Sequence, residues 1–551
     1  MSEMHSAQQW KNAVVYQVYP RSFMDSNGDG IGDLNGIISK LDYLQQLGIN
    51  MLWLSPVYRS PMDDNGYDIS DYENIADIFG SMDEMEHLIA EAKAREIGIL
   101  MDLVVNHTSD EHPWFIDALT SKNSTYRDFY IWRKPAADGG PPNDQRSCFG
   151  GSAWTLDKAS GEYYLHQFST HQPDLNWENP DVRAAIHAMM NRWLARGIAG
   201  FRMDVIDLIG KDVDQQIMAN GKNLHLYLHQ MNCATFGPYG SITVGETWSA
   251  TPEDALLYSA EARQELTMVF QFEHIRLFWD EYHGKWRNKP FDLLRFKAVI
   301  DKWQTALAHH GWNSLFWSNH DLPRAVSKFG DDGQYRVESA KMLATALHCL
   351  KGTPYIYQGE EIGMTNVRFP RIADYRDIES LNLYRERVSE GVSHEEMMMG
   401  IHANGRDNAR TPMQWDSSQY AGFTTSQPWI DVNPNYKQIN VAAALDDPNS
   451  VFYHYQKLVA LRKQQPLLIH GDFRQIFNSH PQVFAWLRTS GDQTLVVINN
   501  FTREPLTLDV PVNLQSLQGH CLISNYAPRE QLDAHLQLQP YESFALLIGS
   551  L

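Results

Sequence analysis

Four acidic residues stand at the ends of short apolar runs: Asp102 in Gly98–Val105, Asp204 in Gly200–Val205, Glu246 at the end of Ile242–Glu246, and Asp321 just after Ser314–Trp317. Arg202, His107 and His320 lie beside them. Two carboxyl groups facing one cleft can hydrolyse a glycosidic bond: one attacks as nucleophile, the other protonates the leaving oxygen. Arg202 would keep Asp204 ionised, because a nearby cation lowers a carboxyl pKa. Crowded negative charge would favour the protonated form of Glu246, which an acid requires. Asp321 and the two histidines could hold sugar hydroxyls. Taken singly, an Asp at a strand end is more often a helix cap or an ion-pair partner, and only their convergence argues for chemistry. The rival reading is a metal site of His107, His320 and the acids, but no HxH or HxxxH pair anchors it.

Those residues converge only if the runs that carry them are parallel strands of one barrel. Eight such runs occur: Val14–Tyr19, Ile49–Leu54, Gly98–Val105, Gly200–Val205, Ile242–Glu246, Val269–Phe272, Ser314–Trp317 and Thr353–Tyr357. Amphipathic stretches lie between most of them, including Gly36–Gln46, Asp83–Arg95, Val182–Ala195 and Tyr335–Cys349. Alternation of strand and helix predicts parallel βαβ units and an α/β fold, a (β/α)₈ barrel. A barrel gathers its functional residues at the C-terminal ends of the strands. The segment from 106 to 174 is too long for a plain loop and predicts an inserted domain. From 471 to 551 short strands and turns predict a terminal antiparallel β domain. The barrel then comprises 1–105 and 175–470.

The chain of 551 residues is long enough for a large core, and its net charge is −21. So acidic a surface repels phosphate backbones, which argues against a nucleic-acid partner. The four cysteines form no CxxC pair, so buried free thiols are expected rather than disulfides or zinc. Residues 1–12 show no basic stretch followed by an apolar run, and no apolar run reaches membrane-span length. The expectation is a cytoplasmic monomer with no membrane contact, acting on a small saccharide without an organic cofactor.

At these residues the chain resembles the α-amylase superfamily of glycoside hydrolases. DLVVNH (102–107), GFRMDV (200–205), VGE (244–246) and SNHD (318–321) resemble its four signature regions in order. QPDLN (172–176) resembles a fifth, of the oligo-1,6-glucosidase subgroup. VVYQVYPRSF from Val14, GTPYIYQGEEIGM from Gly352 and GRDNARTPMQW from Gly405 are also typical. The resemblance implies a barrel, an inserted B domain, a C-terminal β-sandwich and retention of the α configuration. It implies that Asp204 is the nucleophile, Glu246 the acid/base and Asp321 the carboxylate that binds and distorts the sugar. It further implies that Asp64, Tyr67, His107, Arg202, His320 and Arg406 hold the terminal glucose; Arg410 is the alternative to Arg406. Phe149 and Phe168 join this substrate-binding set.

Asp25, Asn27, Asp29, Ile31 and Asp33 place oxygens at alternate positions, as in a calcium loop, with glycines permitting the curl. The closing Glu of an EF-hand is missing, since Gly36 stands there. A metal-free Asx-rich turn is the alternative. The resemblance implies a structural Ca²⁺ or Mg²⁺.

In the subgroup, valine after the nucleophile, here Val205, accompanies α-1,6 specificity. Trp248 and Phe272 resemble the aromatic clamp of sucrose isomerases, yet Phe278-Trp279-Asp280 replaces their arginine-rich motif. A hydrolase of small α-1,6-linked disaccharides is expected, with isomaltulose and isomaltose as candidates. Trehalose-6-phosphate hydrolysis is an alternative that needs a cationic pocket, for which Lys211, Lys222 or Arg263 could serve. Sucrose isomerisation is another. A catalytically dead partner subunit or a sugar-binding module fits poorly, because all three acids are present.

Overall fold

The computed structural model describes residues 9–549. The expectation about a leader rests largely on residues 1–8, which lie outside them.

Eight parallel strands form the barrel: β1 (Val15–Val18), β2 (Met51–Leu54), β3 (Gly98–Leu103), β4 (Gly200–Met203), β5 (Ile242–Glu246), β6 (Met268–Phe270), β7 (Ser314–Leu315) and β8 (Thr353–Tyr357). Each pairs with its neighbours in chain order, and β8 returns to β1 in register Val15↔Tyr355. Between β6 and β7 the seam is a single parallel bridge, Val269↔Asn313. The strands are buried almost throughout, as expected where side chains fill the barrel and helices cover its outside. Gly200 begins β4 because a Cβ there would lie 1.8 Å from the Ile242 carbonyl oxygen of β5. The helix Met82–Ala94 shows why the outer layer forms here. Ser81 Oγ accepts the Glu84 N–H, Glu84 returns the bond to the Ser81 N–H, and Met85, Leu88, Ile89 and Ala92 make the buried face. The stretch expected as one helix over 36–46 is two, Leu34–Ser39 and Leu41–Leu47, meeting at Lys40.

After β3 the chain builds a small three-stranded antiparallel sheet from Trp132–Arg133, Glu162–Leu165 and Trp154–Asp157. Bridges His107↔Asp174 and Tyr130↔Leu175 fasten it to the end of β3. Beyond residue 471 five antiparallel strands and the two-stranded ribbon Leu506–Asp509/His535–Leu538 enclose a second core. The other face of that sheet, with Phe484, Trp486, Leu495 and Val497, packs on the barrel. Lys297 Nζ ties the two together by donating to the carbonyls of Phe477, His480 and Val483.

All four cysteines are free, but against expectation only Cys349 is buried. Among the described residues no helix is long and apolar enough to cross a membrane.

Candidate active site

Arg202 leaves the last turn of β4 pointing into the barrel mouth and organises its floor. Its Nη1 donates to Asp102 Oδ1 at 2.9 Å and Asp204 Oδ1 at 2.8 Å, and its Nη2 to Glu246 Oε2 at 2.6 Å. One guanidinium thus holds carboxylates from the ends of three strands. Asp102 is fully buried, and its Oδ2 also accepts from Trp53 Nε1 and Tyr67 Oη. It therefore supports Arg202 from below and does not face the cleft, contrary to the expectation of four carboxylates on one surface. Arg202 itself is buried beneath Asp204 and Glu246, so it holds carboxylates rather than sugar.

Asp204 and Glu246 meet different surroundings. Burial pushes Asp204 well above the ordinary carboxylate range; Arg202 pulls it down, and Glu246 and Asp102 push it up again. Glu246 meets three N–H donors: Arg202, the Val205 backbone at 3.1 Å and Trp248 Nε1 at 2.7 Å. Val205 reaches Glu246 because its backbone is left-handed, φ +35° and ψ +45°, which costs a β-branched residue about 1–3 kcal/mol.

Asp321 accepts from Arg406 Nη1 at 3.2 Å and Arg410 Nη2 at 2.9 Å. Burial alone would raise it, but His320, Arg406, Arg410 and Arg202 hold it well below the usual range. His320 is pushed down to about 3 by burial, and it stacks on Tyr67 with rings parallel within 1° and centroids 5.0 Å apart. Gln17 Nε2 lies 2.8 Å from His320 Nδ1, leaving Nε2 to face Asp321. Burial likewise lowers His107 to about 4 and raises Asp64 to about 7 against the pull of Arg406. Arg406 lines the cleft, with Nη2 at 3.1 Å from Asp64, whereas Arg410 sits behind it on the His320 carbonyl.

The cleft encloses about 680 Å³. Its wall includes Asp64, Tyr67, His107, Asp204, Val205, Glu246, Trp248, His320, Asp321 and Arg406. Phe149 and Phe168 of the inserted segment also line it, at 5.5 Å from each other. Phe272 does not line it: it is 1% exposed and stacks under Trp248 at 3.8 Å. Sequence reasoning missed Asp377, which is buried and grips Arg406 Nε and Nη2 at 2.9 and 2.6 Å. It also missed the hairpin Trp279–Asp280/Gly284–Asn288, whose Trp279, Tyr282 and Trp286 form the outer wall. An Asp followed by a helical pattern signals a cap, and Asp377 is one, so only the fold reveals its second role.

None of Lys211, Lys222 and Arg263 lines the cleft. Lys211 is buried against Asp174, and Arg263 pairs with Glu265. The cations that do line it are each paired: Arg146 with Glu386, Lys285 with Glu379, Arg387 with Glu390, and Arg406 with Asp64, Asp321 and Asp377. Among the described residues no group of three or more His, Cys, Asp or Glu is placed to hold a metal ion.

The barrel, its inserted sheet and this carboxylate floor meet a family description, "Alpha amylase, catalytic domain", over residues 17–471, and "Alpha-amylase SusG C-terminal domain" over residues 483–544. The chain belongs to the α-amylase family and is a glycosidase. It is 81% identical over 551 residues to a palatinase of Erwinia rhapontici, with all of both chains covered. It is 55% identical to an oligo-1,6-glucosidase of Halalkalibacterium halodurans, covering 98% of each. Among solved structures, an isomaltulose synthase from Protaminobacter rubrum superposes with TM-score 0.95 at 40% identity, covering 98% of this chain and 99% of that one.

Proposed function

We propose that the protein is a retaining, exo-acting α-glucosidase that hydrolyses α-1,6-glucosidic bonds of small saccharides, isomaltulose and isomaltose foremost. The observation that carries this is Arg202 gripping Asp204 and Glu246 together at the floor of a cleft whose cations are all paired. Such a wall offers a neutral sugar hydrogen bonds but leaves no cation for a phosphate, which disfavours trehalose 6-phosphate. The palatinase relative and Val205 on the cleft wall support the α-1,6 linkage.

The reaction follows from the floor. In the reacting complex Glu246 is the acid and Asp204 the anion beside Arg202. Asp204 Oδ forms a bond to the anomeric carbon while the glycosidic C–O bond breaks, and Glu246 gives its proton to the leaving oxygen. Glu246 then takes a proton from water as the water oxygen attacks the anomeric carbon and Asp204 leaves. Two inversions retain the α configuration. Asp321, held ionised by the two arginines, binds the glucose hydroxyls.

The test is product analysis with equal concentrations of isomaltulose, isomaltose, trehalose 6-phosphate and sucrose, following the anomer released by NMR. Fastest release of α-glucose from isomaltulose or isomaltose is expected. Faster cleavage of trehalose 6-phosphate, conversion of sucrose into an isomer, or release of β-glucose would refute the substrate or the stereochemistry.

The proposal extends to a cytoplasmic monomer and to a structural Ca²⁺ or Mg²⁺ on Asp25, Asn27, Asp29, the Ile31 carbonyl and Asp33. Gly28 and Gly30, at φ +80° and +90°, supply the tight curl. Asp33 keeps an acceptor site, and the Asn27 and Asp29 side chains are exposed. Asp25 fits less well, since Asn27, Gly28, Gly30 and Thr424 already fill about four acceptor positions, all that a carboxylate offers. A cation must displace one of these donors. A ligand at a hundred times its Kd stabilises a fold by about 2.7 kcal/mol. We therefore expect EDTA to lower the melting temperature by several degrees and added Ca²⁺ or Mg²⁺ to restore it. An unchanged melt would leave the loop as an Asx-rich turn.

A further inference from the structure

Trp248 follows Glu246 by two residues, and its indole does more than wall the cleft. The ring lies parallel to Phe272, within 10° and at 3.8 Å between centroids, and Trp279 stacks at 5.6 Å on it. Arg276 Nη1 donates to its carbonyl at 3.2 Å. The ring is therefore fixed by neighbours, and its one polar atom, Nε1–H, points at Glu246 Oε1 at 2.7 Å. The other carboxyl oxygen, Oε2, already accepts from Arg202 and the Val205 N–H.

We infer that Trp248 is a positioning residue for the acid/base: its indole N–H turns Glu246 so that Oε1 carries the transferable proton, and it stabilises the carboxylate that the first proton transfer leaves behind and the second consumes. The inference rests on the proposed role of Glu246. A phenyl ring at this position would keep the stack and lose the bond. With Oε2 committed to Arg202 and Val205, a proton on Glu246 goes to Oε1, so the indole faces the oxygen that exchanges protons with the leaving group and with water. The other charged groups around Glu246 are Arg202 and Asp204 from β4, Asp207 from the turn after it, and, through Arg202, Asp102 from β3. The indole donates from the segment that continues β5, to the oxygen that Arg202 and Val205 do not hold.

The experiment is the pH profile of kcat/KM on isomaltulose for wild type, W248F, W248H and E246Q. The profile of kcat/KM reports the ionisations of the free enzyme. A hydrogen bond to a charged group is lost in W248F, so the alkaline limb, where the acid's proton is lost, moves up by about one pH unit. W248H, which keeps an N–H donor, leaves the limb within a few tenths of a unit of wild type. A uniform fall in kcat/KM with an unmoved limb in W248F would overturn the inference and leave Trp248 a sugar contact only. Folding of each variant is read by its melting temperature; if W248F does not fold, W248L, which also lacks the N–H, takes its place, and a limb raised by about one unit supports the inference while an unmoved limb overturns it. E246Q separates the two readings: if it turns over isomaltulose at near wild-type rate, the role of Glu246 itself fails. An inactive E246Q with an unmoved W248F limb condemns only the role of Trp248.

Discussion

Asp204→Asn is expected to lower kcat on isomaltulose by about four orders of magnitude or more, because an amide cannot form the bond to the anomeric carbon. The variant should keep the wild-type fold, since Arg202 retains Asp102 and Glu246 as partners. Glu246→Gln should behave differently. Loss of a general acid costs about 10²–10⁴-fold when the leaving group needs a proton. A p-nitrophenyl leaving group needs none, so p-nitrophenyl α-glucoside should give a burst of nitrophenol followed by slow turnover. Stopped-flow absorbance on both variants checks this. Near-normal steady-state turnover in Asp204→Asn, or the burst appearing there instead, would reverse or abolish the assignment.

Arg202→Met is expected to be the most destabilising single change at the site. It leaves Asp102, Asp204 and Glu246 crowded without their cation, and breaking a buried ion pair by removing one partner costs about 3–5 kcal/mol. The loss should depend on pH in a definite direction. Burial already raises Asp102 to about 6 and Asp204 further, despite Arg202 pulling both down. Without the arginine both go higher. The folded state then holds protons that the unfolded chain releases above about pH 4. Stability is fully present below that point and is lost as pH rises through the folded values. Urea midpoints should therefore show a larger deficit against wild type at pH 8 than at pH 5. An equal deficit at both, or one under about 1 kcal/mol, would mean that Arg202 does not neutralise the floor.

The barrel was legible because each of its strands is an apolar run with a turn signal behind it; β5 and β8 begin and end where the sequence places them. The floor was legible for the same reason, since residues at strand ends have few other places to go. What the sequence could not convey is depth. Arg202 and Asp102 share motifs with residues that line the cleft, yet both lie under it: they pair in register one layer before the strand ends, and Arg202 points to the same side as Asp204 two residues on. Phe272 likewise ends beneath Trp248, a matter of packing between two loop starts rather than of residue type. Asp377 and the Trp279–Asn288 hairpin lie outside the strand-end motifs and carry no local pattern that points at the cleft. The surroundings of Glu246 escaped as well: charge pairing is visible in Arg202-x-Asp204, but the three donors on Glu246 come from a strand, the turn after it and an indole.

The contact between Arg406 and Asp64 joins residues 342 positions apart, and β1 pairs with a strand that begins at Thr353. Contacts so distant in sequence carry a large loop-closure cost and form late. A chain emerging from the ribosome thus holds Asp204 and Glu246 long before it holds a pocket. At roughly 5–20 residues per second, the interval between synthesis of Glu246 and of Arg406 is on the order of ten seconds or more. Throughout that interval the carboxylates have no sugar-binding wall opposite them. Chemistry becomes available only when the barrel closes, so a truncated chain should be inert as well as unstable.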